Sequence, residues 1–334
     1  MPKIRFGVFM GADPESLALA DRIGLDLICM GDGPAMMGDL YVRLARAAML
    51  TKKPRISPAV TVPFFRHPYV AASSIMDIQQ LSNGRAIFAL GSGYNSIEYM
   101  QERPASLKEL QEYGLAVKAL AANKKGVYRG KEMEMAWKNP PPPVPLWFAG
   151  DGPKGIELAG RVGDGVIIGN AATVSLVEWG QRHVIAGARE TGRDPSHVEI
   201  WNYPRVILCK STKEGIAQNA FVLADYAAIH FRNGYYDKGV AMDEDIADRL
   251  DKFRAEFNMG LSHDPGINYN VELVKKYGLY DWLANQLLVA GPPEVIIERL
   301  QQLIAAGGRN FVFRVMPDLS TAEELSKKVL DKFR

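Results

Sequence analysis

Two short glycine-rich stretches stand where a chain could hold an anion. Gly91-Ser92-Gly93 follows an apolar run, and its backbone amides are open to close approach. Gly150-Asp151-Gly152-Pro153 leads into a helical pattern, where unpaired N–H groups and the helix dipole favour phosphate. Pro153 suits the first helical position because its missing donor is not needed there, and Lys154 adds positive charge. Asp151 opposes this unless its carboxylate turns away or caps the helix. Either stretch also suits an ordinary turn. Arg66 and His67 sit between Phe65 and Pro68 and could hold phosphate or shape a pocket, or else pair with an acid and with backbone groups. Asp32 follows an apolar strand pattern and could accept a hydrogen bond from a ligand, or cap its own turn. Tyr94, directly after the second glycine of its loop, is a candidate proton donor.

Other chemistries find little support. Glu98 and Glu102 lie one helical turn apart, as on a solvated face. The histidines are scattered, without the spacing of a metal site, and no Gly-x-Ser-x-Gly elbow occurs. Zinc and serine hydrolases are therefore not expected, and no metal is assigned. Cys29 and Cys209 are too few for a disulfide framework.

These residues need elements to position them. Residues 55–94 read as a strand (56–62), a proline-bounded turn (63–68), a helix (69–81) and a second strand (86–90). Such a unit is parallel, with its binding surface beyond the carboxyl ends of its strands. Both the 61–68 and 91–94 loops fall at that end. Around it, apolar runs at 4–10, 25–30, 144–149, 166–168, 200–209 and 310–315 alternate with helical patterns. Among the latter, Asp13-Pro14 and Asp39 are helix starts. About eight strand–helix alternations in 334 residues predict one domain over 1–334, a (β/α)8 TIM barrel. Two stretches, about 123–143 and 225–290, read as insertions; the first carries Pro140–Pro143, and the second could cover the site. A doubly wound sheet would carry a glycine fingerprint after its first strand, which Gly11-Ala12-Asp13 does not supply.

Charge is balanced at a formal +2, with 47% apolar residues, so nothing points to nucleic acid. The longest apolar runs are too short to span a bilayer, and the N-terminus enters a strand directly. A cytoplasmic protein is expected.

Val60-Thr61-Val62-Pro63-Phe64-Phe65-Arg66-His67-Pro68, Leu81-Ser82-Asn83-Gly84-Arg85 and Gly91-Ser92-Gly93 together resemble the central signature of the bacterial-luciferase-like superfamily. Gly152-Pro153-Lys154, Leu158-Ala159-Gly160 and Asp164-Gly165 resemble its second signature. The form around Thr61 is most similar to methylenetetrahydromethanopterin reductases and other deazaflavin-dependent enzymes. The resemblance implies a barrel binding coenzyme F-420 or, alternatively, FMN. It also implies a non-prolyl cis peptide at Ala59–Val60 whose bulge backs the ring, with Thr61 beside it. The activity implied is hydride transfer between F-420 and a small organic substrate. An FMN-dependent monooxygenase served by a flavin reductase, or a flavin-binding protein without turnover, are the alternatives. The resemblance further implies a homodimer packed through 39–50 and 69–81. The chain departs from its relatives in having Asp32-Gly33 where many have Asp-His, and Tyr94 where a sugar-phosphate dehydrogenase has an acid. A copied sugar-phosphate site is thus not expected.

Overall fold

The computed structural model describes residues 3–93, 97, 100–231, 242, 244–258, 261, 268–313 and 318–334. The chain opens with β1 (Arg5–Phe9), α1 (Pro14–Arg22), β2 (Leu27–Met30), α2 (Pro34–Met37), α3 (Leu40–Leu50), β3 (Arg55–Pro58) and α4 (Pro68–Leu81). Asp13 and Asp39 cap α1 and α3 as their positions predict, Asp13 accepting from Ser16 N–H at 2.8 Å and Asp39 from Tyr41 N–H at 2.8 Å. The chain continues through β4 (Phe88–Leu90), α5 (Leu107–Ala121), β5 (Gly126–Tyr128), β6 (Lys131–Met133), β7 (Leu146–Gly150), α6 (Pro153–Val162), β8 (Gly165–Gly169), α7 (Val174–Glu190) and β9 (Glu199–Tyr203). Its last third holds β10 (Arg205–Leu208), α8 (Thr212–Gln218), α9 (Ala220–His230), α10 (Glu244–Glu256), α11 (Tyr269–Lys276), α12 (Tyr280–Leu287), β11 (Leu288–Gly291), α13 (Pro293–Ala305), β12 (Asn310–Phe313) and α14 (Leu319–Lys328).

Eight of these strands form one parallel sheet in the order β3-β2-β1-β12-β9-β8-β7-β4. Bridges Ile56–Ala86 and Thr61–Leu90 join its two edges, so the sheet closes into the expected (β/α)8 barrel. The third strand departs from the uninterrupted run expected over 56–62. Regular pairing with β2 ends at Pro58, which has no N–H to give. The Ala59–Val60 peptide is cis, and the chain then pairs with β4: Thr61 N–H donates to Ala89 at 3.1 Å, and Gly91 N–H to Thr61 at 3.0 Å.

Two other expectations change. The single strand read over 200–209 is two strands, broken at Pro204: β9 stays in the barrel, while β10 pairs in parallel with β11 outside it. Leu223, Phe253, Leu283 and Leu287, from α9, α10 and α12, form a separate hydrophobic cluster against this pair. The polar stretch around 123–143 contains a β-hairpin, β5–β6, turned by Arg129 and Gly130, both at positive φ. Among the described residues, no helix is long and apolar enough to cross a membrane.

The motif arginine at 85 is structural. Its guanidinium donates to the carbonyls of Ser82 (2.8 Å), Pro54 (2.6 Å), Ala48 (3.0 Å) and Thr51 (2.8 Å), tying α3, β3 and α4 together at the amino end of the barrel. Asp164 does similar work, accepting from Lys118 at 2.7 Å and from Leu146 N–H at 2.9 Å. Gly160 and Gly187 let the backbones of α6 and α7 touch, leaving no room for a Cβ at either, and so fix the direction of α6.

Candidate active site at the carboxyl end of the barrel

Side chains alternate along a strand, so every second residue points inward. Trp147, Trp201, Cys29, Ile87, Ala89, Ile167 and Val312 fill the middle of the barrel, all buried. One step further toward the carboxyl ends, the inward positions are Phe9, Gly31, Gly91, Ala149, Gly169 and Tyr203, with Ala59 and Val60 beside them on the bulge. Most of these are Gly or Ala. The barrel is therefore plugged at its waist by two indoles, and the inward positions at its mouth are mostly small. Phe9, Ala59, Val60, Ala149 and Tyr203 are half-buried, as the lining of a concavity should be. Gly91 serves packing first: Val60 Cγ2 occupies the place a Cβ would take, and the Gly91 amide already bonds to Thr61. Of the three amides expected to face an anion, those of Ser92 and Gly93 donate to no backbone carbonyl among the described residues.

Asp32 is the centre of a buried polar cluster at the end of β2. Its Oδ2 accepts from Thr61 Oγ1 at 2.7 Å and from Arg66 Nη1 at 2.6 Å, while its Oδ1 is buried without a hydrogen-bond partner among the described residues. Arg66 Nη2 reaches Asp39 Oδ2 at 2.7 Å, so one guanidinium holds two carboxylates. The face of Arg66 lies 4.9 Å from the Tyr41 ring, and Tyr113 donates to the Arg66 carbonyl at 2.9 Å. Burial raises the phenol pKa of both tyrosines above the ordinary value. Burial also acts to raise the Asp39 carboxyl, but hydrogen bonds from Arg66, Val42 N–H and Tyr41 N–H outweigh it and leave the pKa lowered. Of the two uses read for Arg66, the structure shows the pairing with acids. His67 accepts from Tyr69 N–H at 3.3 Å and caps α4.

Further round the mouth, α6 begins with Gly152 as its cap residue, which has no side chain to bond the first amides. Pro153 takes the first position, as expected. Gly150 lies close against the turn, its would-be Cβ 3.3 Å from Ile156 N. Asp151 leans over Gly169 on the next strand, where any side chain at 169 would displace it. The carboxylate thus turns to the neighbouring strand, and Asp151 also raises the pKa of the buried Tyr226, after burial itself. Lys154 is exposed beside the open amides. Ala59, Val60 and Thr61, then, lie two strands round the mouth from Gly150, Gly152, Pro153 and Lys154, with the end of β4 between them.

Tyr94 lies outside the described residues, as do Glu98 and the end of the last barrel strand as read from sequence. Trp147 is core. Reading the candidates motif by motif passed over Phe9, Ala149, Gly169 and Tyr203; their signal was inward parity one step beyond the tryptophans. A hollow of about 400 Å³ runs outside the strand ends between Pro63–Phe64 and Tyr128–Arg129. It is walled by exposed charged residues, of which Arg103 is already held by Glu109 at 2.7 Å.

The model of the luciferase-like monooxygenase family matches residues 14–310, and the chain belongs to that family. It is 32% identical over 213 residues to a 5,10-methylenetetrahydromethanopterin reductase of Methanolobus tindarius, a match spanning 59% of this chain and 64% of that protein. With the enzyme of the same name from Archaeoglobus fulgidus the identity is 24%, over 89% of this chain and 88% of the relative. Among solved structures, the coenzyme F-420 dependent tetrahydromethanopterin reductase of Methanopyrus kandleri superposes with a TM-score of 0.77 at 18% identity, covering 99% of this chain and 100% of that one.

Proposed function

We propose that this chain is an oxidoreductase of the cytoplasm that moves a hydride between coenzyme F-420 and a small organic substrate. The observation that carries the reading is the layer of small inward residues, Gly31, Gly91, Ala149 and Gly169, set above two buried tryptophans and faced by the uncapped start of α6. A flat tricyclic ring needs the hollow, and a phosphate-bearing tail needs the amides. F-420 in such a place supplies a carbon centre that accepts or donates hydride; the chain supplies position and exclusion of water. Ala59 and Val60 would back the ring, and the amides of Gly152 and Lys154 would hold the tail, with the Lys154 ammonium adding attraction. Ser92 and Gly93 offer further amides at the end of β4, the strand next to β7. Asp32 and Thr61 would stand behind the ring, where the unmatched Asp32 Oδ1 can take one proton-bearing group. Tyr94 is proposed as a proton donor from the adjoining loop.

The test is fluorescence titration of the purified protein with F-420 and with FMN separately. Binding of F-420 is expected. Lys154→Glu should weaken it by about tenfold, roughly 1.4 kcal/mol, with the difference shrinking at high salt. Tight FMN binding without F-420 binding would favour the monooxygenase alternative, with a flavin reductase as partner and oxygen-dependent turnover. Neither cofactor binding would end the redox reading.

A homodimer is proposed from the exposed apolar residues on α3 and α4: Val42 at 65% exposure, Met49 at 73% and Val70 at 53%. Sedimentation of the protein and of Met49→Lys should give a dimer for the first and a monomer for the second.

A further inference from the structure

We propose that the segment 33–38 is the wall that selects the substrate, and that Met37 and Phe9 form an apolar subsite above Gly31. The proposal rests on the reading of the mouth as a redox site and names the class of molecule that enters it: a small, uncharged, apolar-bodied substrate.

Gly31 occupies an inward position on β2, and the space its missing Cβ leaves is bounded by Phe9 Cζ at 3.0 Å and Met37 Sδ at 3.5 Å. The ring and the thioether thus fill the space above Gly31, next to the Ala59–Val60 bulge on the adjoining strand. Met36 packs its methyl on Gly33, 3.0 Å from the would-be Cβ, yet Met36 and Met37 remain 47% and 44% exposed. A thioether chain is polarizable and repacks easily against alkyl and aromatic bodies.

The base of the wall is fixed while its tip is open. Asp32 and Asp39, the residues on either side of 33–38, are both bonded to Arg66. Arg43 of α3 donates to the Gly31 carbonyl. Gly38, at φ 75°, takes the backbone turn that brings the chain into the Asp39 cap. The two guanidiniums beside the wall are turned to the protein: Arg66 to two carboxylates and Arg43 Nη2 to the Gly31 carbonyl, while Arg43 Nε is buried beneath the surface. Residues 33–38 themselves, Gly-Pro-Ala-Met-Met-Gly, carry no charge. A phosphate or carboxylate pressed against this surface would lose hydration and gain no partner, whereas an alkyl or aromatic body gains contact. Arg66 acts here as a positioning residue for the wall.

The probes are cyclohexanone and glucose 6-phosphate, followed by saturation-transfer NMR on the F-420-saturated protein and on the protein alone. Cyclohexanone should receive saturation and glucose 6-phosphate should not. Met37→Leu should retain cyclohexanone binding within about twofold, and Met37→Glu should weaken it by about tenfold, while F-420 affinity stays within about twofold in both. Both changes are at a half-exposed position, and circular dichroism would check that they fold. Equal cyclohexanone binding by wild type and Met37→Glu, or preferential binding of glucose 6-phosphate, would overturn the proposal. Failure of F-420 to bind would instead count against the redox reading, and the unloaded protein would still report on the wall.

Discussion

The two ends of the barrel solve opposite problems with the same kinds of residue. At the amino end one carboxylate is shared by two arginines: Glu199 meets Arg5 at 2.9 Å and Arg55 at 2.7 Å, and Trp201 Nε1 donates to its Oε1 at 2.8 Å. The guanidiniums lie near the indoles that fill the waist, Arg55 at 4.9 Å from the Trp147 ring and Arg5 at 5.7 Å from Trp201. Both carboxylate oxygens are satisfied, and the end is shut. At the carboxyl end the stoichiometry is inverted. One arginine, Arg66, is shared by two carboxylates, and Asp32 keeps a buried oxygen without a partner. A buried acceptor left unmet costs free energy of order 1–3 kcal/mol. The closed end trades nothing away, while the open end holds a local cost that a ligand can relieve. Barrels of this kind place stability at one face and chemistry at the other.

Three changes would break or sharpen that contrast. Glu199→Ala leaves two arginines and an indole N–H without their acceptor and should destabilise the fold by about 3 kcal/mol, read from the urea midpoint. F-420 affinity should move less than threefold. Ala149→Leu fills the hollow layer without touching the ion clusters. It should weaken F-420 binding by roughly 100-fold, about 2.7 kcal/mol, with little change in the urea midpoint. If instead Glu199→Ala abolished binding while Ala149→Leu unfolded the protein, the division between the ends would be wrong. The smallest effect concerns acid. Asp39 has a folded pKa below that of an unfolded aspartate, so it contributes stability above the unfolded value and loses it as pH falls through the folded one. Asp39→Asn should therefore lower stability near neutrality and flatten the loss as pH falls below the ordinary aspartate value. Parallel slopes for the two proteins would show that the Arg66–Asp39 bond adds nothing, as befits an exposed carboxylate.

What the sequence determined by itself is local. The caps Asp13 and Asp39, the Pro14 and Pro153 helix starts, the alternation of strand and helix, and the position of the Ala59–Val60 bulge all follow from neighbours in the chain or from motifs that resemble a family. Pro204 was legible too, as a residue without a donor, but an apolar run on either side concealed that it separates a barrel strand from an outer one. What only the tertiary structure decided depends on distant pairs. Arg66 carries the same sequence whether it faces a phosphate or two aspartates, and the packing of β2, β3 and α3 makes the choice. Gly91 looks like an anion-binding glycine until Val60, thirty-one residues away, takes up the space beside it. The hollow mouth is a property of no single strand. It arises because several strands, each with Gly or Ala at the same inward level above the waist, close on one another in register, and register between distant strands is fixed only when the barrel forms.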